Sequence, residues 1–446
     1  MIGLGLLLLR ANLPNTADID AIVQKHLAKT GAPGSVVLVQ QGNTVVYGKG
    51  FGVAEVKTGR RPNIHTPFLI ASLTKQFTAV LVCRLVEQGK LALNDPVTKW
   101  FPEAPPTWAG MTVRHLLTHT SGVTILPKDP TEVLRNTPEP VMRQRIVEAP
   151  LTAPPGTEYG YSNSGYVLLG MIIEQVTGKT YSEVLQREIL KPLGMRETGM
   201  MDWDHPPRNL AVGYEVHPSL SPAEKIHPSW TYSAGAMVST AADVGRWLVT
   251  MQSDRLLKTT RNEMFTQLKL NNGADRTYGF GWVVLQRGSI KVVSHTGQLN
   301  GFSSHDLFTP NGISIVVLAN ATDGEAATLA NDIAERYVPE LVPPAIKDPS
   351  PTRTAGHRHF LEELLDGRVD RSHMTPQFSQ FFTDDQVAQM GQGLSKLGHL
   401  TSMELTGTET KGTLRRFEYR VKLGETRMSF TVVIDSDDKI AALHIE

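Results

Sequence analysis

The chain has 446 residues, of which 40% are hydrophobic and 20% charged, with 44 basic side chains against 44 acidic ones. That length suggests two or three domains, and the balanced charge excludes a global field that would draw in nucleic acid or an anionic membrane. The lone Cys83 excludes an intrachain disulfide; with no second thiol or metal spacing beside it, it reads as buried packing.

The start, Ile2 to Leu9, is an apolar run too short to span a bilayer. Residues 1–16 read either as the tail of a secretory leader or as an N-terminal arm packed on the fold, although no basic stretch precedes the run and no clear small-x-small cleavage site follows. The first reading places the protein in the periplasm or outside the cell, the second in the cytoplasm. No other segment has the pattern of a transmembrane span.

Ile19, Ile22, Val23 and Leu27 then have the spacing of an amphipathic helix. Ser35–Val39 and Thr44–Tyr47, joined across Gln41-Gly42-Asn43, read as a β-hairpin, and Gly48, Gly50 and Gly52 as a bend in a strand. This G-x-G-x-G lacks the strand-to-helix setting of a dinucleotide site. From Thr74 to about Leu248 helices and prolines dominate, including a short helix over 113–122 closed by Gly122 and an apolar helix around Val167, Leu168, Met171 and Ile172. Strand character returns at 281–285, 290–294, 302–308 and 313–318, with turns at Arg287-Gly288-Ser289 and Pro310-Asn311-Gly312 that fit antiparallel pairing. A helix over 325–337 follows. The expected fold is α/β of the α+β type: one antiparallel sheet, made from both ends of residues 17–342, flanked by helices and interrupted by a helical insertion. The proline-rich stretch 343–356 reads as a linker. Residues 357–446 then read as a small α+β domain of two helices and a strand meander, whose pattern resembles nuclear-transport-factor-2-like domains. His357 and His359 read as part of the polar linker rather than as metal ligands.

Chemistry enters at Ser72-Leu73-Thr74-Lys75, where a serine and a lysine one helical turn apart share a face as a helix begins. Free N–H groups and the helix dipole favour developing negative charge there. A serine hydroxyl is a poor nucleophile until a base takes its proton, and Lys75 can do so if burial or nearby positive charge lowers its pKa. Spacing alone carries little, because Ser436-Asp437-Asp438-Lys439 repeats it in what reads as a turn. Two further features add weight. Tyr161-Ser162-Asn163 lies in a loop running into a helix; a phenol near a lysine can relay a proton, and an amide can orient a carbonyl. His295-Thr296-Gly297 ends a strand along which a substrate can add as another strand, with Gly297 allowing close backbone approach. No G-x-S-x-G elbow and no H-E-x-x-H zinc motif competes.

Ser-x-x-Lys, Tyr-x-Asn and a Lys/His-Thr-Gly strand in this order resemble the class C β-lactamase and D-Ala-D-Ala carboxypeptidase superfamily, which includes family VIII carboxylesterases and D-aminopeptidases. Leu116-Leu117-Thr118-His119-Thr120-Ser121-Gly122, Pro192-Leu193-Gly194-Met195 and Gly301-Phe302-Ser303-Ser304 extend the likeness over roughly residues 17–340. The resemblance implies Ser72 as nucleophile, Lys75 as its proton acceptor and Tyr161 as the group that passes the proton to the leaving group and later activates water. It implies that Asn163 holds the substrate amide and helps fix Lys75, that His295, Thr296, Gly297 and Gln298 bind substrate, and that the oxyanion hole is the backbone N–H of Ser72 and of Gln298. His119 and its turn read as scaffold. The family uses no metal or organic cofactor. His295 departs from the lysine of classical β-lactamases; a mostly neutral imidazole holds a β-lactam carboxylate poorly, so weak β-lactam turnover is expected.

The leading expectation is a serine hydrolase forming an acyl-enzyme on Ser72 with a small-molecule or peptide ester or amide. A β-lactamase or DD-carboxypeptidase is the alternative within the class, and a non-catalytic penicillin-binding-like sensor or scaffold the alternative outside it. Whether the C-terminal domain caps the cleft, makes a homo-oligomer or hangs free is left open.

Overall fold

The computed structural model describes residues 14–424 and 426–445, so the apolar run at 2–9 lies outside the described residues. The chain divides into two compact units, one up to Leu341 and one from Val342. In the first, helix α1 (Thr16–Thr30) is capped by Asn15, whose side chain accepts from the Ala17 N–H, and it ends on Gly31 at φ +70°. Strands β1 (Gly34–Gln41) and β2 (Thr44–Gly52) form the expected hairpin. β2 runs further than its apolar pattern suggests, because Gly48 and Gly50 stay in the ladder. Gly50 is where the Pro62 carbonyl crosses, and a Cβ there would sit 2.0 Å from that oxygen.

A helical region follows, with α2 (Thr74–Glu87), α3 (Val113–Leu117), α4 (Asn163–Thr177), α5 (Pro228–Gly235) and α6 (Ala241–Met251) as its main pieces. α3 ends at Leu117 without a glycine; His119 instead turns the chain at φ +57°. Gly122 serves a close approach, since a Cβ on it would lie 2.1 Å from the Ala153 carbonyl oxygen. Strands β3 (Val283–Arg287), β4 (Ile290–Leu299), β5 (Phe302–Phe308) and β6 (Ile313–Ala319) then complete a six-stranded antiparallel sheet in the order β3-β4-β5-β6-β1-β2, and α7 (Ala326–Tyr337) follows.

Both faces of this sheet are covered, which is why its central strands read as nearly unbroken apolar runs. Val37, Val39, Ile315 and Val317 point to α1 and α7, where they meet Ile19, Val23, Leu329 and Ile333. Their neighbours Val36, Leu38, Val316 and Leu318 point to the helical region and join Phe77, Leu81 and Trp247. Period-2 alternation thus feeds two cores from one strand. β4 outruns β3: pairing with β3 covers Ile290–Ser294, and from His295 to Leu299 the strand is paired only with β5.

In the second unit, α8 (Pro351–Leu365) begins inside the stretch expected to be linker. Pro351 is compatible with that start, since a proline at the first helical positions loses no intrahelical bond. Helix α9 (Asp384–Ser395) follows, then the four-stranded antiparallel meander β7 (Leu400–Lys411), β8 (Leu414–Leu423), β9 (Thr426–Ile434) and β10 (Ile440–Ile445). Phe360, Leu364, Phe417, Tyr419, Phe430 and Val432 form its own core. His357 lies on α8 and is buried, its Nδ1 2.7 Å from the Tyr419 hydroxyl, which explains its presence without a metal. Among the described residues no three His, Cys, Asp or Glu side chains gather as a metal site, and no helix is long and apolar enough to cross a membrane.

Candidate active site

Ser72 lies in a tight 3-10 turn, Ala71–Leu73, that leads into α2 rather than in the α-helix itself. Ala71 stands at φ +48°, a conformation that costs an L-residue of order 1 kcal/mol or more and persists only where the surroundings over-determine it. They do so here. The Ile70 N–H donates to the Met237 carbonyl at 3.0 Å, the Ser304 hydroxyl donates to the Ile70 carbonyl at 2.8 Å, and the Thr74 hydroxyl donates to the Ala71 carbonyl at 2.7 Å. Gly297 on β4 closes over the same turn. A Cβ on it would lie 2.5 Å from the Ile70 oxygen, so glycine is what lets the strand come this close.

Lys75 is fully buried one turn later. Its Nζ lies 3.0 Å from Ser72 Oγ, 2.8 Å from Asn163 Oδ1 and 2.8 Å from the Ala234 carbonyl oxygen. Burial drives its pKa well below the ordinary lysine range. A neutral amine has two N–H bonds and one lone pair; two of the three neighbours are carbonyl oxygens, which can only accept. The two hydrogens therefore satisfy Asn163 and Ala234, and the lone pair is left facing the Ser72 hydroxyl. That is the arrangement a general base needs.

Asn163 is the first residue of α4. Ser162 caps the helix, its Oγ accepting from the Gly165 N–H at 3.0 Å and donating to the Val123 carbonyl. The Ser162 N–H donates to His119 Nδ1 at 3.0 Å, which fixes the neutral ring as the Nε2–H tautomer; burial holds the His119 pKa well below the usual range. The His119 ring lies 4.3 Å from that of Tyr161 and 4.6 Å from that of Tyr278, and its Nε2 has no hydrogen-bond partner among the described residues. The histidine of the Thr118–Gly122 turn is thus the prop behind the Tyr-Ser-Asn loop. Tyr161 leaves 45% of its surface open, yet its hydroxyl is turned inward: desolvation raises its pKa, and the Ser72 hydroxyl beside it moderates the rise. Lys75 Nζ stands 4.8 Å from its ring centroid.

His295 is 3% exposed, and both ring nitrogens are engaged inside the protein: Nδ1 lies 2.7 Å from the Thr296 carbonyl oxygen and Nε2 2.8 Å from the Tyr278 hydroxyl. Its ring centroid lies 6.2 Å from that of Tyr161. Desolvation, with Lys75 nearby, lowers its pKa to about 3. Thr296 Oγ1 is 2.9 Å from His305 Nδ1, and the Gln298 amide donates to the Thr322 carbonyl at 3.1 Å. Beneath the strand, Asp306 is fully buried and accepts from Gln76 Nε2 at 2.7 Å and from the His295 N–H at 3.2 Å; burial raises its pKa to about 8, so it is mostly protonated at neutral pH.

Three participants have no signature in the sequence. Ala234 acts through a backbone carbonyl, which any residue type carries. It is delivered by α5, where Tyr232 stands at φ +32° and the Ser233 carbonyl and hydroxyl bond Thr78 Oγ1 and the Tyr166 carbonyl. Tyr278 precedes β3 in an irregular stretch. Tyr166 lies inside an apolar helix and reads there as core; its ring is 5.6 Å from Lys75 Nζ. Only their placement around Ser72 and His295 reveals them.

The family described as Beta-lactamase matches residues 19–338. Protein flp of Staphylococcus aureus (strain COL) is 30% identical over 345 residues, a match covering 73% of this chain and 64% of the relative. The chain therefore spans less than two thirds of that relative's length. Among solved structures, D-amino acid amidase from Ochrobactrum anthropi SV3 with bound L-phenylalanine amide superposes with a TM-score of 0.63 at 29% identity, over 73% of this chain and 98% of the amidase. The octameric penicillin-binding protein homologue from Pyrococcus abyssi superposes with a TM-score of 0.65 at 22% identity and covers 97% of this chain and 99% of its own, so its fold corresponds to both units.

Proposed function

This chain belongs to the beta-lactamase family, and from that premise we propose that it is a hydrolase that works through an acyl-enzyme on Ser72 and acts on an amide or ester. The observation that carries the reading is the Lys75 amine, desolvated, with two carbonyl acceptors for its hydrogens and its remaining position on Ser72 Oγ. As Ser72 Oγ bonds to the substrate carbonyl carbon, its proton passes to Lys75 Nζ and the carbonyl oxygen becomes an oxyanion. The Ser72 and Gln298 backbone N–H groups receive that charge; such donors contribute about 3–4 kcal/mol each. Tyr161 then gives its phenolic proton to the leaving amine or alcohol and regains one from Lys75. A water then attacks the same carbon and passes its proton through Tyr161 to Lys75; the bond from that carbon to Ser72 Oγ breaks, Oγ takes the proton back and the acid is released. Asn163 holds both the amine and the substrate amide. The solved amidase, a family relative of the catalytic unit, supports an amide of an amino acid as the first substrate class to try.

The test is intact-protein and peptide mass spectrometry after a fluorophosphonate probe. The peptide containing Ser72 is expected to gain the probe's mass in the native protein and not after denaturation. An unlabelled Ser72 in the native protein would overturn the reading in favour of a sensor or scaffold.

A further inference from the structure

Between β1, β2 and α6 a cavity of about 540 Å³ opens that shares no lining residue with the site around Ser72. Cavities of about 300–1,000 Å³ are the size that takes a small molecule. One wall is α6, where Ala242, Arg246 and Val249 recur at helical spacing. From the sheet comes Gln40, which follows Val36 and Leu38 on the face of β1 turned toward that helix. The β1–β2 pairing slips by one residue at this point, with Val39 opposite Tyr47 and Gln40 opposite Val45; such bulges re-aim a side chain. Gly245 on α6 makes room for the amide, since a Cβ on it would lie 2.3 Å from Gln40 Oε1. Ser314, the cross-strand neighbour of Gln40 on β6, already accepts from Gln252 Nε2 at 2.8 Å. Gln40 is 8% exposed, and its Oε1 has no hydrogen-bond partner among the described residues. A buried amide left unpaired is costly, and each such group in a native fold calls for an explanation.

The rest of the lining is cationic and apolar. Arg255 donates to the Pro192 carbonyl at 2.9 Å and pairs with no carboxylate among the described residues. Arg246 gives Nη1 to Asp243 Oδ1 at 2.6 Å and to the Gly194 carbonyl at 3.1 Å, which leaves Nε and Nη2 without a partner among the described residues. His65 turns Nδ1 to Glu197 Oε2 at 2.9 Å. No aspartate or glutamate lines the cavity itself, and Leu38, Val45, Ile64 and Val249 supply an apolar side.

We propose that this cavity is a second binding site, for a small carboxylate that also carries an amide: in chemical class, an N-acylated amino acid. The carboxylate sits between the Arg246 and Arg255 guanidinium groups, which hold it by charge-assisted bonds. The amide pairs with that of Gln40, which offers a donor and an acceptor at one edge. Turning the Gln40 amide over about its last bond exchanges those two ends, so the oxygen now against Gly245 can face the ligand. The ligand's side chain covers the apolar residues. This site is independent of the acyl-enzyme reading.

Isothermal titration calorimetry on the full chain tests it with N-acetylphenylalanine, for which saturable binding is expected below about 10 mM. N-acetylphenylalanine methylamide lacks the carboxylate and hydrocinnamate lacks the amide. Each is expected to bind about tenfold more weakly or worse, the change that loss of one strong polar contact brings. Arg255→Ala is expected to weaken N-acetylphenylalanine by a similar factor. Gln40→Leu is expected to weaken it too, while leaving hydrocinnamate unchanged. Protein first treated with the fluorophosphonate probe is expected to bind N-acetylphenylalanine as untreated protein does. No saturable binding in the wild type, or equal binding of the three compounds, would overturn the inference without any variant having to fold. So would full affinity in Arg255→Ala, or loss of binding once Ser72 is labelled, since the ligand would then sit elsewhere or in the cleft. Inorganic phosphate bound as tightly as N-acetylphenylalanine would overturn the proposed class in favour of a bare anion site. Failure of Ser72 to take the label would overturn the acyl-enzyme reading alone.

Discussion

Ser72 and Lys75 share their spacing with Ser436 and Lys439, and the two tetrapeptides differ in everything else. Lys75 is fully buried among two carbonyl oxygens and one hydroxyl. Lys439 is exposed, and its Nζ donates to the Ser372 carbonyl at 2.8 Å. Residues 436–439 form the turn between β9 and β10, braced by Asp435 Oδ1, which accepts from the Asp437 and Lys439 N–H groups at 2.9 Å each. Proximity of an alcohol and an amine is therefore only an entry condition. Desolvation of the amine keeps it neutral, and acceptors for its two hydrogens leave its lone pair on the hydroxyl.

Removing the chemistry from the first tetrapeptide should have the largest effect. Ser72→Ala and Lys75→Ala are each expected to cut kcat/KM on an ester or amide substrate by about 10³-fold or more, as loss of a nucleophile or its base does. Near-wild-type turnover by Lys75→Ala would show that the base lies elsewhere. Asn163→Ala, which strips one acceptor from the amine, is expected to lose about 10²-fold, in the range of general-base effects. The amine also sets a pH limb. Only its neutral form accepts the Ser72 proton, so kcat/KM should rise with pH through the lowered Lys75 pKa, with a midpoint below the ordinary lysine range. A flat profile up to the pKa of a free lysine would contradict that.

Asp306→Asn probes the buried acid beneath the strand and should change stability more than turnover. Its folded pKa of about 8 lies above the 3.8 of a free carboxyl, so the folded chain holds a proton that the unfolded chain releases. That contribution favours folding fully below the free-carboxyl pKa and is lost as pH rises toward 8. The asparagine keeps an acceptor for Gln76 and the His295 N–H, and calorimetry should show Tm at pH 8 rising by about 2 °C and varying less with pH. Last, Ser436→Ala should leave kcat/KM within about twofold, the size expected of an exposed substitution away from any site. A larger loss would make the second tetrapeptide functional and undo the contrast.

Where local chemistry decided the structure, the sequence was readable. The β1–β2 hairpin across Gln41-Gly42-Asn43 and the turns at Arg287-Gly288-Ser289 and Pro310-Asn311-Gly312 all lie where their residue types predict. Ser72, Lys75, Tyr161 and Asn163 were legible because their functional groups are side chains at recognisable spacings, and the structure gathers them around one amine. The readings that needed correction depended on tertiary contact. The glycines of β2 resemble a bend, but at Gly50 they mark a crossing chain. The helix at Pro351 was hidden by the prolines around it.

Gly170, on the buried side of α4, leaves room for the tightly threaded α5 segment. A Cβ there would fall 2.1 Å from Ser233 Oγ and 2.8 Å from the Tyr232 ring, displacing the backbone whose next carbonyl, that of Ala234, steadies the Lys75 amine. A single methyl group on the buried side of α4, away from Asn163 at its head, would thus disturb the carbonyl that holds the Lys75 amine. On the acyl-enzyme reading, the readiness of Ser72 is then governed from behind the cleft wall, where the pocket's own lining gives no sign of it.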